Sequence, residues 1–119
     1  MAIRTIAVLG AGTMGHGIAH GTAVAGYETR LFDVSEAQLA KARGQIDGIL
    51  KKSVELGKLS AAEVDATLGR LTTTANVADA LAGADFIIEA APEKVDLKIT
   101  LFRDIEAHAP ATAVVATNT

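Results

Sequence analysis

The stretch A-V-L-G-A-G-T-M-G-H-G, residues 7–17, constrains this chain more than any other. It holds G-x-G-x-x-G at Gly10, Gly12 and Gly15, directly after the short β-branched run I-R-T-I-A-V-L at 3–9. In a chain with 11 glycines among 119 residues such spacing arises readily by chance, so its surroundings must give it meaning. The dinucleotide fingerprint requires a strand before the loop, a helix after it and an acid about 20 residues on. Residues 3–9 supply the strand. Residues 13–25 are small and apolar without proline, which suits a helix lying close to a sheet. Asp33 lies 23 residues beyond Gly10, at the end of a second strand-like run, 27–33 (Y-E-T-R-L-F-D).

Each part of the fingerprint has a physical job. Gly10 permits the tight turn, Gly12 lets the backbone approach a pyrophosphate, and Gly15 lets the helix pack on the strand. Ala11, Thr13 and Met14 complete the loop, where the helix N-terminus offers free N–H groups and a partial positive charge. Asp33 is expected to accept hydrogen bonds from both adenosine ribose hydroxyls. It also selects against a 2′-phosphate: two unit charges about 4 Å apart repel by roughly 4 kcal/mol at an effective dielectric near 20. Val34 and Ser35 follow, with no arginine to receive a phosphate, so the expected cofactor is NAD rather than NADP.

The rest of the chain alternates strand and helix signals. Ser35 and Gln38 form an S-x-x-Q capping box. Leu39, Ala42, Ile46, Ile49 or Leu50, and Val54 then recur at helical spacing, up to Gly57. Ser60 and Glu63 form a second capping box, opening a helix to about Leu71. A short strand is expected at 72–75, a short helix from Asn76 to Leu81, a strand at 84–89, a helix at 94–108 and a last strand at 112–117. This order predicts an α/β fold: a doubly wound parallel sheet with right-handed crossovers, a helical insertion at about 36–71, and an end after the fifth strand. One domain is expected over 1–119, with no repeat or linker.

Composition narrows the function classes. Net charge is −3 with acids and bases interleaved, which lacks the basic footprint of nucleic-acid binding. There is no cysteine for thiol chemistry or disulfides, and no apolar run of membrane-spanning length. Arg4 and the apolar residues after it loosely resemble a signal peptide, but glycines and the histidines His16 and His20 interrupt the apolar core one would need. A cytoplasmic protein is expected.

Several other motifs carry a plain reading beside a functional one. His16 and His20, four apart on a helix, suit metal ligation only with a third ligand, and the helix offers none; no metal site is expected, and both are read as polar helix-surface positions. His108 falls at a helix C-terminus and is given no function. Glu89 ends a strand, where α/β folds gather ligand groups, and a structural role fits it equally.

G-A-G-T-M-G-H-G-I-A, L-F-D-V-S-E, I-I-E-A-A-P-E-K-V-D-L-K and A-T-N-T, in this order and spacing, closely resemble the 3-hydroxyacyl-CoA dehydrogenases, especially the bacterial 3-hydroxybutyryl-CoA type. The resemblance implies oxidation of the 3-hydroxyl of an acyl-CoA with NAD, or the reverse, in fatty-acid or short-chain acyl metabolism. It implies that Gly10 to Gly15 bind the pyrophosphate, that Asp33 binds the ribose, and that Glu93, Lys98 and Asn118 lie beside the cofactor. It further implies that the segment 36–71 is an arm covering the acyl-CoA, with Lys51, Lys52 and Lys58 meeting CoA phosphates; the plain reading is an ordinary helical hairpin whose lysines are solvated.

Family catalysis uses a His–Glu pair with a Ser and an Asn. The Ser would be residue 120 and the others lie further on, so no catalytic residue is expected in this sequence. The resemblance also implies a helical C-terminal domain, absent here, that completes the substrate site and forms a homodimer. This chain is then expected to be the cofactor half of the enzyme, inactive alone and prone to self-association through an uncovered sheet edge. Two alternatives are a stand-alone dinucleotide-binding module without turnover and a related NAD-dependent β-hydroxyacid dehydrogenase.

Overall fold

Alternate residues of the first strand, β1 (Thr5–Leu9), enter two different cores, and this organises the molecule. The computed structural model describes residues 2–117. Ile6 and Val8 point to one face of the sheet, and Ala7 and Leu9 to the other, as the period of two in a strand requires. All four are buried, so β1 is covered on both sides.

After β1 come α1 (Thr13–Val24), β2 (Glu28–Phe32), α2 (Glu36–Glu55), α3 (Ala61–Arg70) and β3 (Leu71–Thr74). Then follow α4 (Val77–Leu81), β4 (Phe86–Glu89), α5 (Val95–His108) and β5 (Val114–Thr117). The five strands are all parallel, in the order β3-β2-β1-β4-β5. Helices α1, α2 and α3 pack one face; α4 and α5 pack the other. The expected doubly wound sheet is therefore what forms, with four strands shorter at one or both ends by one or two residues and β3 shifted by one, to 71–74 from the expected 72–75.

Along α2 the buried stripe is Leu39, Ala42, Ile46 and Leu50. This settles the choice between Ile49 and Leu50, for Ile49 is 44% exposed. Val54, in the last turn, is 38% exposed and corrects the expectation that the stripe runs on to it. Gly57, with φ +72°, closes the helix: its N–H donates to the Val54 carbonyl and that of Lys58 to the Ser53 carbonyl. These paired bonds form a Schellman motif, which needs a left-handed residue at its centre.

The capping box at Ser60 and Glu63 forms with both its hydrogen bonds. The one expected at Ser35 and Gln38 is half made. Ser35 Oγ accepts the Gln38 N–H at 3.2 Å, but the Ser35 N–H donates to Asp33 Oδ1 at 2.9 Å. The aspartate carboxylate has taken the donor that the glutamine side chain would have satisfied.

Two arginines close helices from a distance. Arg30 of β2 donates to the carbonyls of Asp79, Ala80 and Ala82 at the end of α4, and Arg70 Nε donates to the Ala23 carbonyl at the end of α1. A cation there meets unpaired carbonyls and the negative end of the helix dipole.

The chain runs outward from β1 through β2 to β3, then returns across the sheet to β4 and β5. The switch in direction falls between β1 and β4, where Leu9 pairs with Glu89. In open α/β sheets the crevice beyond the strand ends at such a switch receives ligands. Here that crevice gathers the loop after β1, the end of β2 and the turn after β4.

Candidate functional site

The site starts at Gly10, which has φ +112° and donates its N–H to the Phe32 carbonyl at 2.8 Å. A Cβ at this position would also lie 2.8 Å from the Ala90 carbonyl oxygen, so the turn after β4 presses directly on the loop after β1. Gly15 is needed for a different reason. A Cβ on it would lie 1.6 Å from the Gly10 carbonyl oxygen, which seats the first turn of α1 against the end of β1.

Gly12 differs from both. Its φ of −70° suits any residue, and a Cβ there would meet nothing within 4 Å. What it borders is open space at the start of α1. No side chain caps this helix and no acid stands in its first turn, so its N-terminal N–H groups and dipole face the crevice.

Asp33 closes the other side. Its Oδ2 accepts the Ala11 N–H at 3.0 Å and its Oδ1 accepts the Ser35 N–H at 2.9 Å. Each oxygen keeps further acceptor capacity for a ligand hydroxyl, because a carboxylate offers about four lone-pair sites. Asp33 is thus held rigidly between the loop and the start of α2, with its remaining lone pairs free to point into the crevice.

A cavity of about 450 Å³ joins these parts, lined by Gly10, Gly12, Thr13, Met14, Asp33 and Glu93, among others. A second, of about 200 Å³, continues past Asp33 between Val34, Pro92, Leu97 and Leu101. One compartment has helix N–H groups and an acid; the next is a slot walled by aliphatic side chains. Such a pair suits a ligand that is anionic and hydroxylated in the middle and flat and apolar at one end. Gln38, Val34, Pro92, Leu97 and Leu101 escaped the sequence reading. In the sequence Gln38 reads as part of a cap, and the others resemble ordinary helix or turn positions.

The opposite wall carries charge. Lys98 of α5 lies 2.8 Å from Glu93 Oε1 and 3.3 Å from Glu89 Oε1. Its ammonium is held above the ordinary lysine pKa, first by the hydrogen bond to Glu93 and then by Glu89, with burial opposing. Glu93 and Lys98 are therefore brought together, with Glu93 lining the larger cavity and Lys98 set behind it on α5. Asn118 lies outside the described residues. Lys51, Lys52 and Lys58 are exposed near the far end of α2 and in the turn after it. At 1.5 Å per residue, Lys51 lies about 20 Å along the helix from Gln38, so these lysines do not line the crevice.

His16 and His20 lie on the surface of α1, each partly buried. His16 Nδ1 is 3.0 Å from the Gly12 carbonyl, and burial followed by the neighbouring His16 lowers the pKa of His20. Among the described residues, no three His, Cys, Asp or Glu side chains converge as a metal site would need. Among them, too, no helix is long and apolar enough to cross a membrane.

Fold and crevice together define a dinucleotide-binding domain of the Rossmann type. Comparison with known proteins gives the family: residues 5–119 match the family model described as "3-hydroxyacyl-CoA dehydrogenase, NAD binding domain", and the chain belongs to that family. Its cofactor is NAD. The chain is 39% identical over 117 residues to 3-hydroxyadipyl-CoA dehydrogenase of Escherichia coli, covering 98% of this chain and 24% of that protein. It is 37% identical over 119 residues to 3-hydroxybutyryl-CoA dehydrogenase of Mycobacterium tuberculosis, covering 99% and 41%. The crystal structure of (S)-3-hydroxybutyryl-CoA dehydrogenase from Ralstonia eutropha superimposes with a TM-score of 0.92 at 34% identity, over 99% of this chain and 41% of that one. This chain therefore spans between about a quarter and two-fifths of the length of these relatives.

Proposed function

We propose that this chain is the cofactor-binding part of an oxidoreductase that interconverts 3-hydroxyacyl-CoA and 3-oxoacyl-CoA with NAD and NADH. Bound NAD supplies a hydride acceptor. The residues of this chain hold it and orient it.

On this reading the open backbone at Gly12, with Gly10, Ala11, Thr13, Met14 and Gly15, receives the pyrophosphate at the start of α1. Asp33 takes the adenosine ribose, and the aliphatic slot past Val34 takes the adenine. Glu93, Lys98 and Asn118 serve the nicotinamide end. Residues 1–119 form one cofactor domain. The groups that move the hydroxyl proton are not among them, so the chain binds cofactor without turning substrate over.

The same reading places the protein in fatty-acid or short-chain acyl metabolism in the cytoplasm and gives the whole enzyme a homodimeric form. Lys51, Lys52 and Lys58 then meet the phosphates of the CoA ester, not the dinucleotide, in agreement with their distance from the crevice.

The observation that carries the proposal is the pairing of an uncapped, side-chain-free helix N-terminus at Gly12 with a backbone-anchored acid at Asp33. One supplies sites for an anion and the other for a diol, at the two ends of one crevice. The test supplies the chain with NAD and 3-hydroxybutyryl-CoA. Cofactor binding without NADH production is expected. Sustained NADH production by this chain would overturn the assignment of the proton-moving groups to other residues.

A further inference from the structure

Glu89 is a carboxylate where the strand pattern calls for an aliphatic side chain. It is the last residue of β4 and shares a face with Ile87, which is buried in the core under α4 and α5. Glu89 itself is 0% exposed. A buried charge is tolerated when it is paired and hydrogen-bonded. Its two oxygens do different things. Oε2 accepts the Ala91 N–H at 2.7 Å and so fixes the turn that forms one wall of the crevice. Oε1 faces Lys98 Nζ at 3.3 Å with no aligned hydrogen-bond donor, so this contact is electrostatic rather than a directed hydrogen bond.

The difference is informative. A neutral amide oxygen could also accept the Ala91 N–H, though more weakly than a carboxylate does. Only the charge on Oε1 needs Lys98, and only Lys98 gains from it. Lys98 is 16% exposed, whereas its other partner, Glu93, is 72% exposed and sits on the rim of the larger cavity. Glu93 is therefore the exposed end of the cluster and Glu89 the buried end.

We infer that Glu89 is a positioning residue for the cofactor: its buried carboxylate holds the Lys98 ammonium in place behind the cavity-lining Glu93 when Glu93 turns toward a ligand. The inference rests on the reading that Lys98 serves the cofactor. Without Glu89 the ammonium is tethered by the exposed Glu93 alone, and NADH binding must then order a long, flexible side chain.

The test is a double-mutant cycle on NADH affinity, using the unaltered chain, Glu89→Gln, Lys98→Met and the pair together. Glu89→Gln retains an acceptor for Ala91 but removes the charge and turns an NH₂ group toward the Lys98 ammonium. It is expected to weaken NADH binding by about fivefold, and to have no effect once Lys98 is Met. An equal loss in both backgrounds, or none in either, overturns the inference. An unchanged affinity for Lys98→Met, with NADH still binding, removes Lys98 from the site and the inference with it. Absence of NADH binding by the unaltered chain is the distinct failure of the functional reading itself.

Lys98→Met strands a buried carboxylate and can impair folding. The second measurement avoids it. In Glu93→Gln, an exposed change, the Lys98 side chain is titrated by NMR. A pKa that stays above the ordinary lysine value supports Glu89 as the holding group, and a return to the ordinary value overturns it.

Discussion

Asp33 Oδ2 accepts the backbone N–H of Ala11 at 3.0 Å, tying the end of β2 to the glycine loop after β1. Its Oδ1 accepts the Ser35 N–H, so one carboxylate sets both the loop and the start of α2. Asp33→Asn is therefore not a neutral change in geometry. Its NH₂ group must face one of two N–H donors, whichever way the amide is turned. Loss of NADH affinity by roughly tenfold to a hundredfold is expected, with smaller discrimination against NADPH. Paired fluorescence titrations with the two reduced cofactors measure both effects.

Two of the fingerprint glycines, Gly15 and Gly12, are expected to fail in different ways. In Gly15→Ala the new methyl would overlap the Gly10 carbonyl oxygen, so the helix start must move. A loss of about 2–3 kcal/mol in stability is expected, as for an overpacked core. In Gly12→Ala nothing is displaced, so the urea midpoint should stay near that of the unaltered chain while NADH affinity falls sharply. Urea melts and binding isotherms on the two variants separate the roles. Equal destabilisation by both would contradict them.

Asp85 predicts an acid response. Its Oδ2 accepts the N–H groups of Thr5 and Arg4 at 3.0 and 2.9 Å, pinning the start of β1 beside β4. The Thr5 bond first, then that of Arg4, holds the carboxyl below its ordinary value of 3.8. A depressed carboxyl contributes stability that is present above that ordinary value and lost as pH falls through the folded one. Asp85→Asn should therefore lower stability near neutrality and flatten its decline below about pH 4. Urea midpoints from pH 6 down to pH 3 show whether the two curves converge.

The sheet edge supplies another prediction. Among the described residues β5 pairs only with β4, and its Val114 and Val115, on opposite faces, are 43% and 40% exposed. An edge strand with uncovered valines is a template for association. Sedimentation velocity across a concentration series should show reversible self-association, reduced by Val115→Lys. A concentration-independent monomer would contradict this.

Much of this architecture is legible in the sequence because its signals are local. The alternation at Ile6, Ala7, Val8 and Leu9 and the spacing of Leu39, Ala42, Ile46 and Leu50 follow from strand and helix periods alone. The glycine loop and Asp33 are legible because a short motif specifies their backbone geometry. What escaped is tertiary. Nothing in S-x-x-Q tells that the Ser35 N–H will turn to Asp33 and free Gln38 to line a crevice. The slot formed by Val34, Pro92, Leu97 and Leu101 joins residues from two distant segments that look like ordinary helix and turn positions. Glu89 reads as a strand end with equal structural and functional promise until its burial and its contact with Lys98 separate the two.

The most direct measurement is a fluorescence titration of the chain with NADH, with NADPH in parallel. Saturable binding of NADH, and binding of NADPH weaker by at least about tenfold, is expected from an anchored Asp33 facing the ribose. Equal affinity for the two, or no binding of NADH by a folded chain, would contradict the assignment of the crevice between Gly12 and Asp33 as the NAD site.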